Sequence, residues 1–332
     1  MKKRILTGDR PTGKLHLGHY VGSLANRVKF QQEGMECFFI IADYQVLTDR
    51  LYTRDVEQNI YEVLLDYLSV GIDPKKSVIF IQSHVPELAE LFVYFSMLVT
   101  VSRAQRNPTV KEEIKSVGHG KKMSVGMLSY PISQAADILL FRPDLVPIGE
   151  DQLPHLEQTK EIAITFNRTF KKVFPVPETL LSKTPRLLGL DGHQKMSKSR
   201  QNAIYLSDPV DIVAQKIKKA VTDSGREIIF DPIKKPAISN FLTIFSFCSG
   251  RDIKELEEAY QGKGYVEFKS DLTQVVNDFL EPIRKKRKEF ASDPKFIREI
   301  LVEGTKKACE EGEKTMKLVR KAIKFDYPRI FE

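Results

Sequence analysis

The chain has 332 residues, of which 42% are hydrophobic and 29% charged, and its formal net charge is +8. This length can bury one large core and a smaller second domain, and the positive charge favours a polyanionic partner. Three widely separated cysteines argue against a disulfide framework and a cysteine-based metal site, and they suggest a reducing compartment. No apolar run approaches the ~18 residues of a membrane span, and none follows the basic residues 1–4 as in a signal peptide. We therefore expect a soluble, cytoplasmic protein with no membrane attachment and no structural metal.

Short apolar runs alternate with helical patterns through the first half of the chain. Ile5 and Leu6 belong to a first predicted strand, and residues 37–42 and 77–82 form two more. Apolar residues at helical spacing predict helices over 56–70 and 88–101. This alternation, with strands that are apolar almost throughout, predicts an α/β fold: a Rossmann-like, doubly wound parallel sheet with helices on both faces.

From Ser207 onward the strand signal fades and helices dominate. They are predicted over 211–222, 239–249, 252–260, 272–291 and 293–323. We therefore predict a Rossmann-like domain over residues 1–206 and a C-terminal helical domain over residues 207–332. The pattern leaves open whether the last helix returns to the first domain. The basic run from Arg284 to Lys288 has two readings: a solvated helix face, which we favour, and a contact with an RNA backbone.

A Gly/Pro-punctuated turn follows the first strand and contains His16-Leu17-Gly18-His19. A turn that opens a helix presents free backbone N–H groups and a positive dipole end to phosphate. Gly18 lets a nucleotide approach the backbone closely, and two imidazoles one turn apart can bind phosphate oxygens. This motif alone is weak, because two histidines at a helix start are as often structural.

A second motif, Lys195-Met196-Ser197-Lys198-Ser199, lies about 175 residues later. Its two lysines are three positions apart in a segment rich in Gly, His and Ser, which suits the binding of a polyphosphate. Alone, such a segment is usually a solvated loop. Both motifs together, in this order, predict a site for a nucleoside triphosphate.

Two further segments carry polar residues in apolar surroundings. Asp137 lies in a predicted helix over 129–140, where it is either a structural residue or a specificity residue that faces a pocket. A buried carboxylate without a partner is costly, so a ligand is a plausible partner. Residues 146–155 run from a short strand into a helix that begins near Gln152.

Together these segments resemble the tryptophanyl branch of the class I aminoacyl-tRNA synthetases, in its bacterial form. The resemblance covers nearly the whole chain: the turn with HLGH, AADIL at 135–139, GEDQ at 149–152, AVTDS at 220–224, and the segment 262–272. It implies a Rossmann-like catalytic domain that carries both motifs and a helical domain that binds the tRNA anticodon.

The resemblance also implies roles for individual residues. His16, His19, Lys195 and Lys198 act in catalysis. ATP is bound by Arg10, Pro11, Thr12, Gly18, His19, Gly149, Glu150, Asp151, Leu187, Lys195, Met196, Ser197, Lys198 and Ser199, and Lys111 lies near the pyrophosphate. Tryptophan is bound by Asp137, which accepts the indole N–H, and by Tyr130, Gln134, Val146, Ile148, Gln152 and Gly8. Gln134 and Arg10 depart from residues that many relatives carry there.

The implied activity is a tryptophan–tRNA ligase. It would form tryptophanyl-adenylate from tryptophan and ATP with Mg²⁺, release pyrophosphate, and transfer tryptophan to the 3′-terminal adenosine of tRNA(Trp), as a homodimer. The nearest rival is a tyrosyl-tRNA synthetase, although residues 5–8 lack the tyrosine that such enzymes usually place before Gly8. A nucleotidyltransferase would use only the first motif. An RNA-binding relative that had lost catalysis would be expected to have damaged motifs.

Overall fold

Five parallel strands form one sheet in the computed structural model, which describes residues 2–48, 51–111, 123–181, 187–198 and 200–331. Their order across the sheet is β3-β2-β1-β4-β5. The strands are β1 (Arg4–Asp9), β2 (Glu36–Ile41), β3 (Ser77–Ile81), β4 (Leu145–Ile148) and β5 (Glu178–Leu181). This is the doubly wound parallel sheet that the alternating pattern predicts. Strand β5, a short edge strand, is not recognised from the sequence.

The sheet is buried on both faces, and the side chains of β2 show how. Cys37, Phe39 and Ile41 belong to a hydrophobic cluster on one face, whereas Phe38 and Ile40 belong to a second cluster on the other face. Successive side chains of a strand point to opposite faces, so an uninterrupted apolar run is required when both faces are covered.

Helices cover the two faces and then continue into the C-terminal region. They are α1 (Leu17–His19), α2 (Ala25–Gln32), α3 (Val56–Ser69), α4 (Pro86–Ser96), α5 (Val101–Gln105), α6 (Val125–Leu140), α7 (Leu153–Thr169), α8 (Val210–Lys219), α9 (Pro236–Ser249), α10 (Ile253–Ala259), α11 (Tyr265–Ala291), α12 (Pro294–Ile323) and α13 (Pro328–Phe331). Although α11 and α12 are 27 and 30 residues long, no helix in the described ranges is both long and apolar enough to cross a membrane.

Two predicted helix boundaries are wrong. The helix predicted over 88–101 ends at Ser96, and a new helix begins at Val101. The side chain of Thr100 accepts a hydrogen bond from the backbone N–H of Arg103 and so caps this new helix. Helix α11 begins at Tyr265, one to two turns before the predicted start at residue 272.

The last long helix, α12, packs directly on strand β3. A Cβ atom built on Gly304 would lie 1.9 Å from the carbonyl oxygen of Ile79, so only glycine permits this approach. The hydroxyl of Thr305 accepts the backbone N–H of Ile81 at 3.3 Å. Arg4, the first residue of β1, pairs with Glu311 of α12 at 3.2 Å. The chain thus returns to the sheet after the helical region.

We expect Gly304→Ala to lower the free energy of unfolding by about 1–3 kcal/mol, because the added methyl group forces α12 away from β3. The matched control is Gly312→Ala on the same helix, where the nearest atom to a new Cβ is the side-chain Cδ2 of Leu140 at 3.1 Å. This flexible side chain can move, so the control should stay near the parent. Urea unfolding measures both, and equal midpoints for the two variants would contradict the steric argument.

Candidate active site

The candidate site lies where the order of the strands reverses. Strands β2 and β3 lie on one side of β1, and β4 and β5 on the other, so the crevice opens beyond the carboxyl ends of β1 and β4. The turn that contains His16 and His19 follows β1, and the segment from Gly149 to Asp151 follows β4. The two segments predicted to bind ATP therefore leave the sheet at its switch point.

The two imidazoles of the first motif lie against each other at the start of helix α1, with their planes tilted by 51°. Their ring centroids are 3.8 Å apart, and the backbone N–H of His16 donates to Nδ1 of His19 at 3.2 Å. Since a backbone N–H can only donate, Nδ1 of His19 is an acceptor, and the proton of the neutral ring lies on Nε2. His19 can therefore donate the N–H of its Nε2 atom to a ligand.

Both imidazoles are neutral at physiological pH. Burial, followed by repulsion from His19 and Lys198, lowers the pKa of His16 to about 2. Burial also lowers the pKa of His19 to about 4, because the attraction of Asp9 opposes it only in part. Nδ1 of His16 is buried and has no hydrogen-bond partner among the described atoms. Neutral rings of this kind can donate to phosphate oxygens without acting as bases.

A buried ion pair that the sequence did not reveal lies at the start of this turn. Arg27 of α2 is 1% exposed, and its guanidinium lies 2.8 Å from the carboxylate of Asp9. Tyr67 donates to the same carboxylate at 2.7 Å. Burial would raise the pKa of Asp9, but Arg27 and, after it, His19 and Tyr67 lower it to about 2. Asp9 thus stays ionised at the end of β1.

The chain that follows the lysine loop (residues 191–198) packs against the first motif through backbone hydrogen bonds. The N–H of Leu17 donates to the carbonyl of Ile204 at 2.9 Å, and the N–H of Leu206 donates to that of Leu15 at 3.0 Å. Met196 is 1% exposed, and its Cβ lies 3.5 Å from the position of a Cβ on Gly18. A residue larger than glycine at position 18 would therefore also meet the ring of His16, at 3.0 Å.

The two lysines of the loop reach the two segments that leave the sheet. Nζ of Lys198 donates to the carbonyl of Gly13 at 2.6 Å and lies 3.4 Å from the hydroxyl of Thr12. Nζ of Lys195 lies 3.5 Å from a carboxylate oxygen of Asp151. The distant motifs therefore meet in one place, as the sequence predicts.

Asn202, which the sequence did not single out, holds the lysine loop in shape. It accepts the N–H of Ser197 at 2.8 Å and donates to Asp191 at 2.6 Å and to the carbonyl of Lys195 at 3.2 Å. Leu187 is 4% exposed and accepts the N–H of Met196 at 3.2 Å.

The other residues predicted to bind ATP are placed as follows. Arg10 is exposed and donates to the carbonyl of Gln45 at 3.4 Å, whereas Pro11 is buried beside it. Gly149 and Glu150 are exposed at the end of β4. Lys111 is exposed too, and in the described ranges no hydrogen bond or ion pair joins it to the lysine loop. Ser199 lies outside the described residues.

A cavity of about 370 Å³ is lined by Asp137 and Tyr130, and also by Gln45, whose carbonyl accepts from Arg10 of the turn after β1. Asp137 is 5% exposed and accepts two contacts from the side-chain amide of Gln82, at 2.7 and 2.8 Å. Burial raises the pKa of Asp137 to about 7, since the hydrogen bonds from Gln82 and Gln45 oppose it only in part. The carboxylate lines the cavity, and no Lys or Arg among the described residues forms an ion pair with it.

The remaining residues predicted to bind tryptophan do not line this cavity in the described part of the chain. Gln134 donates to Gln152 at 3.5 Å. Val146 is 3% exposed within the sheet, and Ile148 ends β4. Gly8 lies in β1, where a Cβ atom would be 2.0 Å from the carbonyl oxygen of Ile40, so the two strands require glycine there.

Comparison with known proteins agrees with this arrangement. Residues 1–281 match the family model described as tRNA synthetases class I (W and Y). The chain belongs to this family. It is 46% identical to a tryptophan–tRNA ligase from Clostridium longisporum, with 98% of each chain covered. It is 44% identical to one from Chlamydia caviae, with 97% of this chain and 96% of the relative covered.

Solved structures of the family superimpose over almost the whole chain. A tryptophanyl-tRNA synthetase from Mycoplasma pneumoniae matches with a TM-score of 0.87 and 29% identity, covering 97% of this chain and 98% of that one. A synthetase from Campylobacter jejuni, complexed with ADP and tryptophan, matches with a TM-score of 0.83 and 33% identity, covering 96% and 99%. The Rossmann-like sheet and the helical C-terminal region are therefore those of class I tRNA synthetases.

A buried polar cluster behind the cavity was also missed by sequence reasoning. The hydroxyl of Tyr130 lies 2.8 Å from Nε2 of His155, and the amide nitrogen of Asn107 lies 3.4 Å from Nδ1 of the same ring. The oxygen of Asn107 accepts the N–H of Thr109, which fixes the amide orientation. Hydrogen-bond partners of this kind leave no periodic signal in a sequence, but the family motif GEDQ…H could have indicated His155.

Proposed function

We propose that this protein is a tryptophan–tRNA ligase: it activates L-tryptophan with ATP and transfers it to the 3′-terminal adenosine of tRNA(Trp). One observation carries the proposal. The HLGH turn and the lysine loop meet at the switch point of the sheet, beside a cavity that is lined by the buried carboxylate of Asp137. The relatives that match nearly the whole chain are named tryptophan–tRNA ligases.

The first step is an in-line displacement on ATP. The tryptophan carboxylate attacks the α-phosphorus, a new O–P bond forms, and the bond to the bridging oxygen of pyrophosphate breaks. The attacking group is already an anion at neutral pH, so no protein base is required. Catalysis then consists mainly of holding the two reactants in line and stabilising charge on the phosphates.

The neutral imidazoles and the lysines divide this work. We assign to His19 the donation of its Nε2–H to a phosphate oxygen, and to His16 a contact with phosphate through the same turn. Lys195 and Lys198 stabilise the charge that develops on the leaving pyrophosphate. In the second step the ribose hydroxyl of the tRNA attacks the carbonyl carbon of the adenylate, and AMP leaves.

Magnesium would enter this reaction as part of the substrate. The described residues contain no group of three or more His, Cys, Asp or Glu side chains that could hold a metal ion. Mg²⁺ commonly binds through substrate phosphates and water with few protein ligands. The lysines and neutral histidines of the site can bind phosphate oxygens that do not coordinate the ion.

Asp137 is the group that we assign to the recognition of the indole. Its carboxylate accepts from Gln82 and, within the described ranges, forms no ion pair with a cation, so it can accept one further N–H from a ligand. Tyr130 lines the same cavity. We extend the tryptophan site to Gln134, Val146, Ile148, Gln152 and Gly8 on the strength of the family motif.

We assign tRNA binding to the helical region, residues 207–332, and catalysis to residues 1–206. Lys285, Lys286 and Lys288 are exposed on α11 and can reach phosphates of the tRNA backbone. We further propose that the protein acts as a homodimer in the cytoplasm. Its three cysteines are all free thiols, in keeping with a reducing compartment.

ATP–pyrophosphate exchange tests the proposed activity directly. We expect exchange that depends on tryptophan and is absent with no amino acid. Tyrosine, run in parallel, should support exchange at least about 10²-fold less well, because its phenol O–H lies at a different position on the side chain from the indole N–H and would not meet an acceptor placed for the indole. Exchange that depends on tyrosine instead would identify a tyrosyl-tRNA synthetase, and no exchange with either would refute the proposal.

His19→Ala and Lys195→Ala should each slow adenylate formation by ~10²–10³-fold, as expected when a donor to the transition state is lost. Tryptophan affinity should be unchanged, since neither side chain lines the cavity of Asp137. Single-turnover kinetics measure the rate. His193→Ala, an exposed residue of the same loop, is the control. Parent-like rates in both variants would remove the two motifs from the mechanism.

Tryptophan binding should tighten as pH rises from 6 to 8. The free protein holds a proton on Asp137 below its pKa of about 7, and an indole N–H favours the ionised form. The expected change in Kd is up to ~10-fold if only the carboxylate binds. The pKa values of His16, His19 and His155 lie at about 2, 4 and 4, below this window.

The chain contains no tryptophan, so a bound ligand is the only indole emitter in a fluorescence titration. Asp137→Asn should bind tryptophan more weakly and with a Kd that is constant over the same pH range. A parent protein whose Kd does not change with pH would contradict the role of Asp137.

A further inference from the structure

A buried carboxylate connects the helical region with the first motif. Asp66 of α3 has no solvent-exposed surface. One of its oxygens accepts the backbone N–H of Leu15 at 2.7 Å, and the other accepts Nε of Arg287 at 2.8 Å. Arg287 belongs to α11, and its guanidinium also pairs with Glu62. The side chain of Arg287 is 14% exposed, so the pair is shielded from solvent.

Leu15 immediately precedes His16, and both of its backbone polar groups are bound. Its carbonyl accepts the N–H of Leu206, and its N–H is held by Asp66. Two residues further along, the backbone N–H of Leu17 donates to the carbonyl of Ile204. The extended segment before the histidines is therefore fixed on one side by the chain that follows the lysine loop. Asp66 fixes it on the other.

The basic run on α11 divides into two groups. The side chains of Arg284 and Arg287 are 15% and 14% exposed and contact the rest of the protein, whereas the lysines of the run face solvent. Arg284 binds the carbonyl of Asp208 and the side chain of Asn277. Arg287 binds the carboxylate that holds the N–H of Leu15, whereas Arg284 binds the chain just after Leu206.

Arg287 favours the ionised form of Asp66, which is the stronger acceptor for the backbone N–H of Leu15. Burial raises the pKa of Asp66, and the attraction of Arg287 and the hydrogen bond from Leu15 oppose that rise. A buried carboxylate that loses its cation becomes costly and must take up a proton, move or admit water. Movement of the carboxylate or entry of water would take away the acceptor on which the N–H of Leu15 depends, and protonation would weaken it.

We propose that Asp66 and Arg287 are positioning residues for adenylate formation: Arg287, on a helix of the C-terminal region, fixes the carboxylate that holds the backbone just before His16. The histidines, not these residues, touch the nucleotide, so this inference rests on the proposed role of the HLGH turn. The same contact joins the region assigned to tRNA binding with the turn assigned to ATP.

Arg287→Gln should lower kcat for adenylate formation by ~10–100-fold, because a shift of about 1 Å in a positioned group is enough for such a loss. KM for tryptophan should change less than about threefold, since Asp66 and Arg287 do not line the cavity of Asp137. Arg320→Gln is the control. It removes another ion-paired arginine of the C-terminal region, whose partners are Glu90 and Glu313, and should leave kcat at the parent value.

Two double variants separate positioning from simple loss of an ion pair. Asp66→Asn combined with Arg287→Gln keeps an oxygen acceptor for Leu15 and needs no cation, so kcat should recover to within a few-fold of the parent. Asp66→Ala combined with Arg287→Gln also lacks the buried charge but has no acceptor. Its kcat should stay ~10–100-fold below the parent. Equal kcat values in the two double variants would overturn the proposal, even if Arg287→Gln alone does not fold.

His19→Ala, measured in the same exchange assay, separates this proposal from the proposed function. Absence of tryptophan-dependent exchange in the parent protein would refute the proposed function. Parent-like exchange in His19→Ala would show that the turn has no catalytic role, and the positioning proposal would fall while the proposed activity stood. Loss of exchange in His19→Ala, with parent-like kcat in Arg287→Gln and both double variants, would overturn the positioning role alone.

Discussion

The candidate site depends on a backbone contact between two segments that are almost 190 residues apart. Leu15 and Leu17 bind Leu206 and Ile204, so the chain that precedes the histidines lies alongside the chain that follows the lysine loop. Neither motif forms a phosphate site alone, because the imidazoles come from one segment and the ammonium groups from the other. This contact brings the two kinds of donor to one edge of the sheet.

Three carboxylates of the candidate site differ in their partners, and the partners separate their roles. Asp9 pairs with Arg27, and its pKa falls to about 2. Asp66 is stabilised by Arg287 but is buried so completely that its pKa is raised. Among the described residues, the donors to Asp137 are the amides of Gln82 and Gln45, and its pKa rises to about 7. The first two carboxylates hold the framework, whereas the third faces a cavity and can still gain from a ligand's N–H.

The helical region is joined to the sheet by more than a linker. Gly304 lets α12 lie directly on β3, and Arg287 of α11 reaches the carboxylate of Asp66. The hydrophobic cluster on one face of the sheet also includes side chains of α9 and α11, such as Phe241 and Leu280. The proposed division at residue 206 therefore separates two functions, while the hydrophobic packing continues across it. A shift of α11 would therefore move the carboxylate that binds the segment before His16.

The sequence by itself determined the parallel sheet, the helical second half and the residues of the two motifs that we propose to bind phosphate. Those features depend on local periodicity and on short stretches of consecutive residues, which a sequence displays directly. Only the tertiary structure decided that Gln82 supports Asp137, that Arg27 pairs with Asp9, and that Arg284 and Arg287 face inward while their lysine neighbours face solvent. Such pairings join residues from separate elements. Their energies depend on burial and on distances of about 3 Å, which no spacing along the chain encodes.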